Sequence, residues 1–390
     1  FEAGISVLDP NVSGKVRNGY TPNAALPASS ARLQNTSVGE MAGDYYFPSA
    51  ALKLQVTDNF SFGLIYDQPF GAEAEYSTGT QKTTALPGPL APLGNQGLFH
   101  NGTEGTSVEV KSQSISMLFG YQPTENFNFY AGPVYQTIKG DVQLRGLAYG
   151  GNATFGGYNA SIKETGDIGW LAGAAFQIPD IALKASVTYR SEIEHSVNVK
   201  ESFNSAGLLA GLNAAPSLNT DITTPQSVNL DFQTGIMANT VAFANVRWVD
   251  WSSFSIQPYK FGLASKSAAI QAQTGKSEFD LVAYTDDQIS ATVGVGRKLN
   301  DQWAGNVSVG WDSGAGNPVT TLGPTEGYWN VGLGAQFSPT PQTFIAGGVK
   351  YFWLGDAKAQ SGAQFDTANY VADFESNYAI AYGLKMGYKF

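Results

Sequence analysis

A chain of 390 residues with 45 Gly, 23 Phe and 19 Tyr but only 14% charged residues departs from an average soluble mix, and its net charge of −10 offers no basic surface for nucleic acid or for an anionic inner leaflet. No run of about eighteen strongly apolar residues is present, which excludes a helical membrane span. Cysteine is absent, so there is no disulfide framework, thiolate nucleophile or Cys-ligated metal.

The chain opens at Phe1-Glu2-Ala3-Gly4-Ile5 directly in strand-like alternation, without a signal peptide, as expected of a mature or trimmed chain. Strands are predicted over Tyr46–Thr57 and Phe60–Tyr66, joined by the turn Asp58-Asn59. After Tyr66 the segment Asp67-Gln68-Pro69-Phe70-Gly71 interrupts the alternation before Ala72–Tyr76 resumes it. Proline cannot donate to a ladder, so Pro69 marks a bulge or kink that Gly71 accommodates, or else the strand simply ends at Tyr66 and a loop begins. Further pairs follow: Val108–Tyr121 with Phe127–Ile138 across Gln122–Asn126, and Glu164–Ile178 with Ile181–Ser202 across Pro179-Asp180. Phe203 to Thr220 is broken by Asn204, Ser205, Asn213, Pro216 and Ser217 and reads as a loop with room for one short helix. Later turns fall at Ala238-Asn239, Asn300-Asp301 and Ser338–Pro341. In the last strand Tyr378, Ile380, Tyr382, Leu384, Met386, Tyr388 and Phe390 share one face, while Ala379, Ala381, Gly383, Lys385, Gly387 and Lys389 share the other. Aromatic residues at both ends of a greasy face match the interfacial girdles of a membrane barrel.

Long polar connections near 9–45, 72–107, 149–160, 203–225, 261–281, 315–325 and 359–371 alternate with the short turns. Short turns on one side and long loops on the other describe an all-β, transmembrane antiparallel β-barrel of about 14 strands, with periplasmic turns and extracellular loops. It forms a single domain over 1–390. A soluble sandwich would not gather aromatics at strand ends, and a propeller would show a blade-length repeat that is absent.

Catalytic groups are sparse. His100 and His195 are far apart, lack metal-ligand spacing and read as solvated loop or strand residues. Ser196 beside His195 points to the opposite wall, against a lipase pair. Neither Gly102-Thr103-Glu104-Gly105 nor the Gly294/Gly296 pair has the context of a phosphate loop. The chain is therefore read as no enzyme, with no cofactor and no metal. Predicted inward residues are largely small or uncharged (Ser112, Ser114, Ser116, Gly120, Ala379, Ala381, Gly383), without the dense facing Arg and Asp/Glu ladders of a diffusion porin.

The segments Ala185-Ser186-Val187-Thr188-Tyr189-Arg190-Ser191-Glu192, Trp251-Ser252-Ser253-Phe254, Asp301-Gln302-Trp303 leading to Gly310-Trp311-Asp312, and Tyr328-Trp329-Asn330-Val331 occur in the order in which the FadL family carries them, and the chain resembles that family from Phe1 to Phe390. The terminal Phe390 also resembles the C-terminal strand signal of outer-membrane proteins. The resemblance implies a monomeric fourteen-stranded barrel in the Gram-negative outer membrane, multi-pass and bathed in lipid and lipopolysaccharide. It implies passive uptake of long-chain fatty acids or other hydrophobic small molecules, with lateral release through a kink in the third strand, where Asp67, Gln68, Pro69, Phe70 and Gly71 fall. The family's N-terminal hatch has no counterpart in this chain, so plug-based gating is not read from it. By the same resemblance, carboxylate-binding basic residues fall on Lys260, at the end of a Trp251–Lys260 strand, and on Arg145. The loop at 149–160 is short where some relatives carry a long helical one, which leaves Leu208, Leu209 and Leu212 as the candidate external docking surface. A general diffusion porin for small polar solutes is the alternative, and a role as adhesin or phage receptor stays open.

Overall fold

The computed structural model describes residues 1–20, 32–78, 83–85 and 94–390; parts of the expected loops 9–45 and 72–107 lie outside the described residues. Fourteen antiparallel strands close into one barrel. They are β1 (Glu2–Asn11), β2 (Tyr45–Gln55), β3 (Phe60–Asp67, resuming as Gly71–Glu75), β4 (Ser107–Tyr121), β5 (Phe127–Gln143), β6 (Asn159–Ile178) and β7 (Leu183–Arg190, resuming as Ile193–Ser202). The second half comprises β8 (Asn219–Thr224, resuming as Ser227–Met237), β9 (Thr240–Val249), β10 (Gln288–Lys298), β11 (Trp303–Asp312), β12 (Tyr328–Thr340), β13 (Thr343–Leu354) and β14 (Tyr378–Tyr388). Closure comes from β1, which pairs with β14 from Glu2↔Gly387 to Asn11↔Tyr378 and with β2 from Glu2↔Ala51 to Leu8↔Tyr45.

Period-two alternation sorts every strand into a lipid face and a lumenal face. On β11 the outward residues are Trp303, Gly305, Val307, Val309 and Trp311, with the large ones exposed. The eight residue steps from Trp303 to Trp311 span roughly 26 Å along the strand, or about 20 Å of height after tilt, close to a membrane barrel's apolar band. Aromatic contacts collect at its two edges. Near the short turns, Phe60 meets Tyr121 at 5.0 Å, Phe127 meets Phe176 at 5.0 Å and Trp303 meets Phe337 at 4.9 Å between ring centroids. At the other edge, Trp170 meets Tyr189 at 5.1 Å and Tyr351 meets Trp353 at 4.9 Å. Between them the wall offers side chains that gain from apolar surroundings, and at the edges it offers rings with a polar tip.

The main buried core lies beyond the wall, among the long connections. Tyr76, Phe99, Tyr158, Phe261 and Phe374 are almost fully buried there. A five-stranded sheet built from Ser13–Val16, Ser37–Glu40, Val319–Thr320, Ala357–Gln360 and Ala372–Phe374 adds a roof. Several buried polar groups in this cap are paired, which offsets the cost of burying them. The Tyr76 hydroxyl donates to the Thr321 carbonyl at 2.6 Å, and the Glu201 carboxylate accepts from the Tyr158 hydroxyl and from the Lys260 and Phe261 amides, each at 2.8 Å.

Three local expectations are corrected. The predicted Trp251–Lys260 strand is a turn, a two-residue strand Ser255–Ile256 and the start of helix α1 (Tyr259–Ser265), followed by α2 (Ala268–Thr274). Pro258 directly precedes α1, and Glu201 holds its first amides, so a proline that ends a strand also begins a helix. The strand expected to run unbroken over Ile181–Ser202 breaks after Arg190. Beyond that break Ile193–Ser202 pairs with Asn219–Thr224, while most of the facing stretch of β6 keeps its ladder with β5 but has no ladder partner on the β7 side among the described residues. Both histidines are fully buried rather than solvated. His195 Nδ1 lies 3.2 Å from Asp167 and its Nε2 lies 3.0 Å from Gln136 Oε1, so the returning hairpin packs against β5 and β6.

Candidate functional site

The third strand breaks where its proline sits. Against β4 the register runs from Phe60↔Tyr121 to Asp67↔Ser114, then resumes at Gly71↔Lys111. Three residues, Gln68, Pro69 and Phe70, thus oppose two, Ser112 and Gln113, which is a bulge with one extra residue. Ser112 holds the bulge: its hydroxyl receives the Phe70 amide at 2.9 Å and donates to the Phe70 carbonyl at 2.6 Å. Toward β2 the ladder stops at Ala50↔Tyr66. Continued, that register would set Gln68 against Pro48, so both strands carry a residue without an N–H at the break. Above it, among the described residues, β3 is hydrogen-bonded to the preceding segment through the Tyr45 hydroxyl, which bonds the Glu73 backbone, through the bridge Ala42↔Ala74 and through the Glu75 amide on the Met41 carbonyl. β3 thus runs on past Pro69 through a bulge and does not end at Tyr66.

Behind the break lies an apolar cavity of about 950 Å³ that reaches from Tyr45 and Phe47 on β2, past Pro69 and Phe70, to the roof at Leu322–Thr325. Its aromatic side is one connected group: Phe70 meets Trp251 at 5.5 Å, Trp251 meets Phe254 at 5.2 Å and Tyr284 at 5.1 Å, and Phe254 meets Tyr284 at 5.9 Å. The Trp251 indole N–H donates to Gln288 at 2.9 Å, which fixes the ring at the end of β10. A second cavity of about 1170 Å³ at the short-turn end of the lumen shares Ser6, Asn306, Gly347, Gly348 and Gly383 with the first, so the two adjoin.

A smaller polar chamber of about 260 Å³ joins the apolar cavity at Pro69, Phe70, Thr224 and Pro225. Asp67, Arg190 and Arg247 line it, a local charged group in a lumen expected to be largely small or uncharged. Alternation held the signal: Arg247 lies between outward Val246 and Trp248, and Arg190 follows Tyr189, whose ring packs on outward Trp170. Ser112, Ser114 and Ser116 are buried as expected, and Ala379, Ala381 and Gly383 line the apolar cavity.

The two basic residues suggested by the family resemblance sit elsewhere. Lys260 is buried in α1, its ammonium 3.2 Å from the Asn213 carbonyl, and it does not line the apolar cavity. Arg145 is also buried and away from that cavity, donating to Glu104 at 2.7 Å, to the Leu144 and Tyr158 carbonyls at 2.8 and 3.1 Å, and to Asn159 at 2.8 Å. Its planar fork is used up in joining the cap. Of the docking leucines, Leu208 is exposed, Leu209 is buried in the cap core and Leu212 packs against that core, so the three do not form one open surface.

At the roof, Glu326 stands outside the spanning strands with Oε2 buried and without a partner. Burial first, then the Asp286 carboxylate, push its carboxyl up to about 7. Among the described residues no group of His, Asp and Glu is arranged to hold a metal ion.

A family model described as "Outer membrane protein transport protein (OMPP1/FadL/TodX)" matches residues 95–390. Among solved structures, a Pseudomonas aeruginosa FadL homologue is similar over 99% of this chain and 89% of its own, at 15% identity and a TM-score of 0.70. The Pseudomonas putida toluene transporter TodX aligns over 100% and 89%, at 12% identity and a TM-score of 0.60. The Ralstonia pickettii toluene transporter TbuX aligns over the same shares, at 11% identity and 0.56. No curated protein sequence matches the chain.

Proposed function

Since the chain belongs to the outer-membrane transport family of FadL and TodX, we propose that it takes up hydrophobic small molecules, long-chain fatty acids among them, and releases them sideways through the break in β3. The observation that carries this reading is the continuity of the aromatic-walled cavity with the unpaired edge between Tyr45–Phe47 and Pro69–Glu73. Each CH₂ moved into periplasmic water forfeits about 0.8 kcal/mol, whereas a path through the wall keeps an apolar tail in apolar surroundings throughout. Nothing in that path requires bond making, and the transport is passive. Toluene, named for two of the structural neighbours, is a second ligand class that the aromatic group around Trp251 suits.

The test is uptake by cells that lack their own transporter and carry this protein in the outer membrane. Radiolabelled oleate and toluene are supplied separately, alongside planar-bilayer conductance of the purified protein. Uptake of either compound above the empty-vector rate without steady ionic conductance supports the reading. Ionic conductance without such uptake returns the diffusion porin to first place.

A further inference from the structure

We propose that Lys111, Lys139 and Lys163, a row on the outside of the barrel beside the β3 break, bind the phosphate groups of an outer-leaflet glycolipid of the lipid A class. The site does not depend on what the lumen carries. Cross-strand register builds the row. Between β4 and β5, Ile115 stands opposite Tyr135, Gln113 opposite Thr137, and Lys111 opposite Lys139, while Glu109 faces Asp141 on one side and Glu73 on the other. On β6, Ile168 stands opposite Tyr135, and the ladder then slips so that Lys163 and Glu164 both oppose Lys139. Ser112, Ser114 and Gln136, which alternate with these residues, are buried, so the row itself faces out. Going up the wall, the outer face changes from apolar at Ile115, Tyr135 and Ile168, all three exposed, through neutral polar to cationic and then to anionic. Four residue steps separate Tyr135 from Lys139, roughly 13 Å along the strand or about 10 Å of height after tilt. Lysines at that height reach the headgroup layer on their flexible stems.

Like charges directly opposite each other destabilise a sheet, and here three ammonium groups share one height. Lys111 is ion-paired with Glu109, but Lys139 and Lys163 are in no ion pair among the described residues. Glu164 accepts from the Thr137 hydroxyl at 3.0 Å and does not neutralise its neighbour. A phosphate removes the repulsion, because its oxygens take charge-assisted hydrogen bonds from several ammonium groups at once. Glu73, Glu109 and Asp141, one row higher, repel an anion placed farther out, so the order of charge up the wall fixes the depth at which the phosphate sits. Acyl chains below that depth continue over Ile115, Tyr135 and Ile168 on the lipid face. Gly71, which resumes β3 after the break, stands opposite Lys111, so the bound lipid borders the proposed exit.

The experiment measures binding of the purified protein, in a non-ionic detergent with a chelator of divalent cations, to radiolabelled bisphosphorylated lipid A and to the same lipid A with both phosphates removed. The unaltered chain should hold the bisphosphorylated lipid about tenfold or more tightly, and salt should shrink the preference. Lys111→Gln with Lys139→Gln and Lys163→Gln should abolish the preference and leave binding of the dephosphorylated lipid within about twofold, with heat-modifiable gel migration showing the barrel folded. Lys15→Gln with Lys266→Gln and Lys358→Gln, the same change of charge on exposed lysines of the cap, should leave the preference in place. No preference in the unaltered chain, a preference that survives in the row variant, or one that the cap variant loses equally would overturn the site. A preference that appears only when magnesium is restored would pass the phosphate to Glu109 and Asp141 and overturn it as well. None of these outcomes bears on uptake through the lumen.

Discussion

Phe70, on the extra turn of chain in β3, meets the edge of Trp251 at 5.5 Å between ring centroids and 78° between planes, so the broken strand is tied to the segment that links β9 to α1. A ring pair of this kind contributes about 0.5–1.5 kcal/mol beyond its buried area. The expectation is non-additivity. In binding of a fluorescent naphthylamine probe, Phe70→Ala and Trp251→Ala should each weaken affinity, and the double variant should fall short of the summed losses by about that coupling. Strictly additive losses would mean that the two rings act separately.

Straightening β3 should close the proposed exit. Because three residues oppose two, substitution alone leaves the register mismatched, and the design must delete Gln68 as well as replace Pro69 and Phe70 with an alternating pair such as Thr-Val. Pro48 needs replacing too, since it faces the same gap. Such a variant should keep heat-modifiable gel migration, the mark of a folded barrel, and lose fatty acid uptake. Normal uptake by the folded variant would make the axial channel the route.

How much of this was legible in the chain follows from how local each signal is. Strand identity and lipid face depend on alternation alone, which is why Tyr378–Tyr388, the short turns and the count of fourteen could be read directly. Pro69 announced a defect, but choosing between a bulge and an ending needed the partner register, which no single strand contains. Lys260 failed for another reason: Trp251 to Lys260 is apolar enough for a strand, and its helix depends on Glu201, about sixty residues earlier in sequence. Parity would have turned Arg190 and Arg247 toward the lumen one at a time, a signal the sequence reading passed over, and their meeting in one chamber is a property of closure and invisible in sequence.

Arg145 and Lys260 should prove to be cap residues. Arg145→Met removes bonds to Glu104, Leu144, Tyr158 and Asn159 and leaves two buried carbonyls without that donor, so the cap should lose about 3 kcal/mol or more. Protease nicking of the extracellular loops on whole cells should rise steeply, and Lys260→Ala should show a milder rise. Binding of dodecanoate and of 1-dodecanol should be affected alike by either change. A selective loss of dodecanoate would return a carboxylate-binding role to these residues.

The roof should respond to pH through Glu326. Its carboxyl is raised from the ordinary value near 4.5 to about 7 by burial and by Asp286, and Gly314 presses against it so closely that a Cβ there would stand 2.5 Å from the carboxyl carbon. A raised carboxylate pKa means that the folded roof binds its proton more tightly than the unfolded segment does. The resulting stabilisation is complete below about pH 4.5 and is lost as pH rises through about 7, because ionising Glu326 then places a half-buried charge beside Asp286 that its backbone hydrogen bond from Gly316 does not offset. Residues 322–325 line the apolar cavity, so a loosened roof also loosens the cavity. Amide exchange over 319–327, corrected for the intrinsic pH dependence, should therefore be faster at pH 8 than at pH 5.5. In Glu326→Gln, which keeps the shape and removes the charge, the two rates should converge on the slower one. Exchange that is unchanged between the two pH values in the unaltered chain, or a glutamine variant that still speeds up at pH 8, would take Glu326 out of the control of the roof and leave its height in pH a passive result of burial.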